Sequence, residues 1–216
     1  WWMSVRRLGA LVDEHNIEQL VVGQALPLGT VAWLLHRTRG LPYVVFAHGM
    51  EITMTRGRRT WLLRAILANA TAVICNSAFT RGEVLRRGGQ PSTTHVVSPG
   101  PHTWPVVHQD DVAKLDAYHR LQGAPVVLCV GRLVERKGFD TLVAAFAAVH
   151  RGLPQARLVM VGDGPYRAKL RQHVARHRLE NAVILTGGLD TRTLAIWYER
   201  CDVFAMLPRR LANGDV

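Results

Sequence analysis

The sequence predicts an α/β protein built on two parallel sheets, and three features carry that expectation. Apolar runs such as 126–130 (VVLCV) and 158–161 (LVMV) show no polar alternation, the mark of strands buried on both faces. Segments with helical apolar spacing separate the runs, and glycine-rich turns close them at Gly131 and again at Gly162 and Gly164. Strand and helix alternate on both sides of a polar stretch, so residues 1–100 and 124–216 are expected to form separate domains joined by a linker at 101–123.

Composition bounds the rest. A chain of 216 residues can bury a sizeable core, and its formal net charge of +11 leaves nucleic acid, anionic lipid and anionic substrates open as partners. No run of eighteen or more apolar residues predicts a membrane-crossing helix, and the start carries no signal-peptide pattern. Cys75, Cys129 and Cys201 stand singly in apolar contexts, without zinc spacing, and read as reduced core residues of a cytosolic protein.

In the first domain, Val5, Leu8, Leu11 and Val12 mark one helical face, and IEQLVVG follows as a strand. A helix from Leu28 to Arg39 leads to the strand in LPYVVFAHGME, which gives way to a loop at His48. A side chain there can project into a cleft and offer a hydrogen bond. The next segment, TRGRRTWLLRAILANA, has two readings. Arg56, Arg58, Arg59 and Trp61 suit an interfacial contact with an anionic membrane. Leu62 with Ile66 and Leu63 with Leu67 equally suit a core-facing helix whose basic face is simply solvated. A buried strand (TAVIC), a helix capped at Asn76 and Ser77 and ending at Gly88-Gly89, and a last strand (TTHVV) complete the domain.

The second domain centres on VGRLVERKG. Its loop sets one guanidinium, Arg132, and one ammonium, Lys137, after a buried strand and before a helix N-terminus, whose free N–H groups and dipole also attract anions. Arg grips phosphate oxygens in pairs and Lys adds a mobile point charge, so the two suit a diphosphate; two solvated surface cations are the plain alternative. In VGDGP, Gly162 and Gly164 let backbone come close to a nucleotide, while Asp163 completes the turn. A cationic helix, the strand AVILTGG, the helix TRTLAIWYERC and the strand DVFAML follow.

Gly131-Arg132 with Lys137-Gly138, then VGDGP, ILTGGLD and WYERCDVFAMLP in that order, resemble the nucleotide-sugar domain of the retaining GT-B glycosyltransferases, most closely family 4, which includes the phosphatidylinositol mannosyltransferases. The resemblance implies two Rossmann-like domains facing across a cleft. It implies transfer of mannose or another hexose, with retention, from a GDP- or UDP-sugar to a hydroxyl of a lipid or glycan acceptor. Arg132 and Lys137 would hold the diphosphate in place of a metal, so no cofactor is expected, and Gly187, Gly188 and Leu189 would place the base. His48 would contact the transferring sugar. PGPHTW departs from the family's Asn-Gly-Val-Asp turn. The family's opening strand and loop and its paired-glutamate motif are not among these residues, so the chain reads as a fragment lacking both ends. Such an enzyme would be cytoplasmic and peripheral on the inner face of the plasma membrane. An epimerase or phosphorylase on the same architecture is the alternative chemistry. A non-catalytic basic module for membrane or nucleic acid is the alternative class, with no nucleic-acid motif to support it.

Overall fold

The computed structural model describes residues 2–100 and 103–209 and divides the chain into two compact units, Trp1–Pro101 and His102–Val216. The first unit runs α1 (Trp2–Glu14), β1 (Leu20–Val22), α2 (Leu28–Arg39), β2 (Tyr43–Ala47), α3 (Met50–Thr53), α4 (Arg58–Asn69), β3 (Ala72–Cys75), α5 (Ala78–Arg86) and β4 (Thr94–Val96). Its strands are parallel and lie in sequence order, β1-β2-β3-β4.

That order has a physical consequence. Each crossover steps the same way across the sheet, and right-handed crossovers stepping one way lay their helices on one face. Leu20, Tyr43, Val45, Ala47, Val73 and Cys75 accordingly join one core with Leu35, Leu63, Ile66 and Leu67. On the alternate rows Val21 stays 63% exposed and Phe46 38% exposed. The segment TAVIC, expected to be a buried strand, is buried only at Val73 and Cys75. Tyr43 is fully buried, and its hydroxyl donates to the Ile66 carbonyl at 2.6 Å, fastening β2 to α4. Ser77 caps α5 by accepting from the Thr80 amide at 3.2 Å.

The second unit runs α6 (Gln109–His119), β5 (Val126–Val130), a 3₁₀ turn (Glu135–Lys137), α7 (Phe139–Gly152), β6 (Arg157–Val161), α8 (Arg167–Arg176), β7 (Val183–Gly187), α9 (Thr191–Arg200) and β8 (Val203–Phe204). The parallel order is β7-β6-β5-β8. Here the direction of winding reverses after β7, so helices cover both faces. Phe139, Val143, Phe146 and Leu170 fill one core, and Leu121, Leu128, Val159 and Trp197 fill the other. Four of the five residues of β6, Leu158 to Val161, are buried. The stretch read as a linker from its polar composition belongs with this unit: α6 buries no residue of its own, but Leu121 just beyond it is wholly enclosed against β5 and Trp197.

Arg200 makes that attachment. Its guanidinium pairs with Asp116 of α6 and donates to the carbonyls of Leu121 at 3.0 Å and Ala124 at 2.9 Å, with only 12% of the side chain exposed. Asp202 adds a bond from the Val126 amide at 2.7 Å. Replacing Arg200 with Met keeps bulk but strands Asp116 and the carbonyls that Arg200 satisfied. Urea unfolding of Arg200→Met is expected to show a loss of about 2–4 kcal/mol; a midpoint equal to wild type would show that the clamp is incidental.

Candidate functional site

In a doubly wound sheet, ligands bind beyond the carboxyl ends of the strands, where the winding reverses. In the second unit this point lies between β5 and β8. The loops after β5, β6 and β7 are stitched together there: Gly131 N–H donates to the Val161 carbonyl at 2.9 Å, Leu133 N–H to that of Asp163 at 2.9 Å, Tyr166 N–H to that of Leu133 at 3.0 Å and Gly162 N–H to that of Gly187 at 2.8 Å.

The glycines are explained by this stitching. Gly162 has φ +134°, and a Cβ on it would stand 2.0 Å from the Gly131 carbonyl oxygen. A Cβ on Gly164 would stand 2.4 Å from the Leu133 oxygen. From the sequence both were assigned to a close approach of nucleotide, yet the nearer cause is the approach of the protein's own backbone. Gly187, at φ +80°, ends β7; Gly188 faces open space, and Leu189 packs against the Trp197 side of the core. Asp190 caps α9 with both oxygens, accepting from the Thr193 amide at 2.9 Å and its hydroxyl at 2.7 Å. These bonds, the amide first, hold its carboxyl below the ordinary value.

Arg132 is exposed and Lys137 half-buried, and neither side chain has a hydrogen-bond or ion-pair partner among the described residues. Lys137 stands near the end of β5: burial pushes the Cys129 thiol up to about 11, and the Lys137 charge works against that rise. Gly138 (φ +67°) closes the 3₁₀ turn and opens α7, and a Cβ on it would meet the Leu207 carbonyl oxygen at 1.9 Å. The segment after β8 thus bears directly on the turn that carries Lys137. This contact escaped the sequence reading, because it follows only once the strand order places β8 beside β5.

His48 belongs to the first unit, at the carboxyl end of β2. Its amide donates to Glu51 Oε1 at 2.8 Å, and its Nε2 lies 2.9 Å from the Gly23 carbonyl oxygen. A carbonyl only accepts, so Nε2 is the donating nitrogen in this contact. Asn76 Nδ2 donates to the His48 carbonyl at 3.3 Å, while Asn76 Oδ1 accepts from Thr80 at 2.8 Å. Phe46, His48, Asn76, Val97 and Ser98 line a hollow of about 360 Å³ at these strand ends.

The helix buries the apolar face that the core-facing reading expects. Leu63, Ile66 and Leu67 of α4 are fully buried, whereas Arg56, Arg58 and Arg59 are exposed without a partner among the described residues. Trp61 is 66% exposed and stands edge-on to Trp33 at 5.9 Å. Arg56 and Arg59 also rim a groove of about 910 Å³ floored by Leu26, Pro27, Met54 and Leu62. No helix among the described residues is long and apolar enough to cross a membrane.

Two family models match. One, described as glycosyl transferases group 1, covers residues 113–213, and the other, a glycosyl transferase 4-like domain, covers residues 1–100. The chain is 32% identical over 211 residues to the GDP-mannose-dependent alpha-(1-6)-phosphatidylinositol monomannoside mannosyltransferase of Mycolicibacterium smegmatis, covering 96% of this chain and 55% of the relative. To the protein of the same description from Mycobacterium tuberculosis it is 33% identical over 212 residues, covering 96% and 54%. The chain therefore spans about half the length of these relatives. Among solved structures, Anabaena HepE in complex with UDP superposes with a TM-score of 0.78 at 22% identity, covering 93% of this chain and 55% of that one. Sucrose-phosphate synthase from Thermosynechococcus elongatus superposes with a TM-score of 0.73 at 26% identity, covering 93% and 52%.

The stitching of the loops is testable without a ligand. Gly162→Ala forces a methyl into the Gly131 carbonyl at a φ that alanine rarely adopts, so thermal or urea unfolding is expected to show a loss of roughly 2–4 kcal/mol. Gly188→Ala, which meets nothing within 4 Å, is the control and is expected to stay within about 0.5 kcal/mol of wild type.

Proposed function

The chain belongs to the group 1 glycosyl transferases and has the fold of the GT-B enzymes, and from that premise we propose that the protein transfers mannose or another hexose from a nucleoside diphosphate sugar to a hydroxyl of a lipid or glycan acceptor, with retention. One observation carries the reading: Arg132 and Lys137 have no side-chain partner among the described residues and stand where the winding of the second sheet reverses, beside the N-terminus of α7. Residues 124–216 are read as the donor domain and residues 1–100 as the acceptor side.

The chemistry follows from charge. As the bond from the anomeric carbon to the diphosphate oxygen breaks, the sugar becomes oxocarbenium-like and negative charge grows on the departing diphosphate. Arg132 and Lys137 meet that charge as it develops, so their contacts strengthen toward the transition state and speed the step. In this reading they take the place that a metal holds in other glycosyltransferases. The acceptor hydroxyl attacks from the face that the diphosphate leaves, and its proton passes to the leaving phosphate. His48, whose Nε2 is turned to the Gly23 carbonyl, would hydrogen-bond a sugar hydroxyl through its other ring nitrogen, and the backbone of Gly187, Gly188 and Leu189 would place the base. GDP is the first choice of base, because the mannosyltransferase relatives are described as GDP-mannose-dependent; UDP, bound in HepE, is the second.

Arg56, Arg58, Arg59 and Trp61 complete the proposal as a contact with an anionic membrane at the cytoplasmic face, the arginines meeting lipid phosphates and the indole entering the interface.

Turnover of GDP-mannose and of UDP-sugars tests the first part. Arg132→Ala and Lys137→Ala are each expected to lower kcat by about 10²–10³; unchanged turnover in both would remove their assigned roles, and an inverted anomeric proton signal in the product would remove retention. Co-sedimentation with phosphatidylglycerol vesicles tests the second. Replacing the three arginines by alanine is expected to weaken association by roughly a hundredfold at low salt, and equal binding to neutral vesicles would sink the contact.

A further inference from the structure

We infer that Arg209, held by Asp140 and Tyr166, is a positioning residue that fixes the Lys137 turn in the place from which its ammonium reaches a bound diphosphate. The inference rests on the donor-site reading of that turn.

Arg209 follows β8 and grips the turn from several sides. Its backbone N–H donates to the Arg136 carbonyl at 2.8 Å. Its guanidinium donates to Asp140 Oδ2 at 2.8 Å and to Thr141 Oγ1 at 3.1 Å, and lies 3.6 Å from Glu135 Oε1. The Tyr166 hydroxyl donates to the same Asp140 oxygen at 3.2 Å. Two residues before Arg209, the Leu207 carbonyl presses on Gly138, where no side chain would fit. Within the turn itself, the Lys137 amide donates to the Val134 carbonyl and the Gly138 amide to the Glu135 carbonyl, both at 3.1 Å, and the strap adds bonds from outside it.

Charge and burial suit a fixed strut rather than a ligand contact. Arg209's guanidinium is engaged by Asp140, Thr141 and Glu135, whereas no described residue partners the side chains of Arg132 and Lys137. Asp140 is 13% exposed. Burial opposes its charge, but the hydrogen bond from Arg209, aided by its positive charge, prevails and holds the carboxyl below the ordinary value. Burial and then the Asp140 charge raise the Tyr166 hydroxyl, which stays a donor. A cation displaced by about an ångström loses most of its effect on a transferring group, so rigidity here bears on the reaction.

A double-mutant cycle on the full chain tests this, with dissociation constants for GDP and UDP measured by calorimetry. Arg209→Ala is expected to weaken binding about tenfold, yet the double variant Arg209→Ala/Lys137→Ala should be no more than about twofold weaker than Lys137→Ala alone, because Arg209 acts through Lys137. Arg209→Lys should recover part of the loss, keeping charge without the fork. Multiplying effects in the double variant would overturn the inference. Amide hydrogen exchange gives a readout independent of nucleotide: in Arg209→Ala the amides of Lys137 and Gly138 should exchange faster while those of β6 do not change. If the wild-type chain binds neither nucleotide, the donor reading falls, and unchanged protection at 137 and 138 would overturn the positioning role as well. If Arg209→Ala does not fold, Tyr166→Phe enters the same cycle, with a loss of about threefold expected alone and none on top of Lys137→Ala.

Discussion

The second unit is organised by three places where backbone meets backbone too closely for any side chain: Gly162 against Gly131, Gly164 against Leu133, and Gly138 against Leu207. Each lets two loops at the carboxyl ends of neighbouring strands share hydrogen bonds, so a region that would otherwise be several independent turns becomes one sheet-like rim. Arg132 and Lys137 project from that rim. Loops are usually the mobile part of a fold, and here the frame beneath the two cations is tied into the sheet itself.

The two units solve the problem of a parallel sheet differently. In the second, the reversal of winding after β7 places helices on both faces, and β5 and β6 are enclosed as their apolar sequence implies. In the first, sequential strand order commits every crossover to one face, so Leu20, Val45 and Val73 are buried while Val21 and Phe46 look outward. Apolar character alone does not separate these cases; strand order does.

Much of the fold was legible for that reason, and the failures have a common cause. The helix read from Leu28 to Arg39 is α2 to the residue, and Ser77 makes the helix cap that its side chain suggested. These are local properties, set by spacing, propensity and short-range hydrogen bonds. What could not be read was long-range. The stretch 101–123 looked like a linker because α6 turns polar residues to solvent, while the attachment of α6 hangs on Leu121 and on Arg200, some eighty residues away in sequence. The same applies to Arg209, which meets Asp140 across 69 residues. At the candidate site the residue types were visible on a turn after a strand, but the glycines were credited to a ligand when the protein's own carbonyls require them first. On α4, spacing supported two functions, and burial of Leu63, Ile66 and Leu67 matches the core-facing one.

The glycine contacts also decide which parts of the rim can vary. Positions 138, 162 and 164 are closed to every side chain, so sequence change there alters the frame before it alters recognition. Gly188 is different: it adjoins the same rim, its φ lies outside the left-handed region, and a Cβ on it would meet nothing within 4 Å. Diversity in what the rim accepts, whether natural or introduced in the laboratory, can enter at this position while the scaffold under it stays constant.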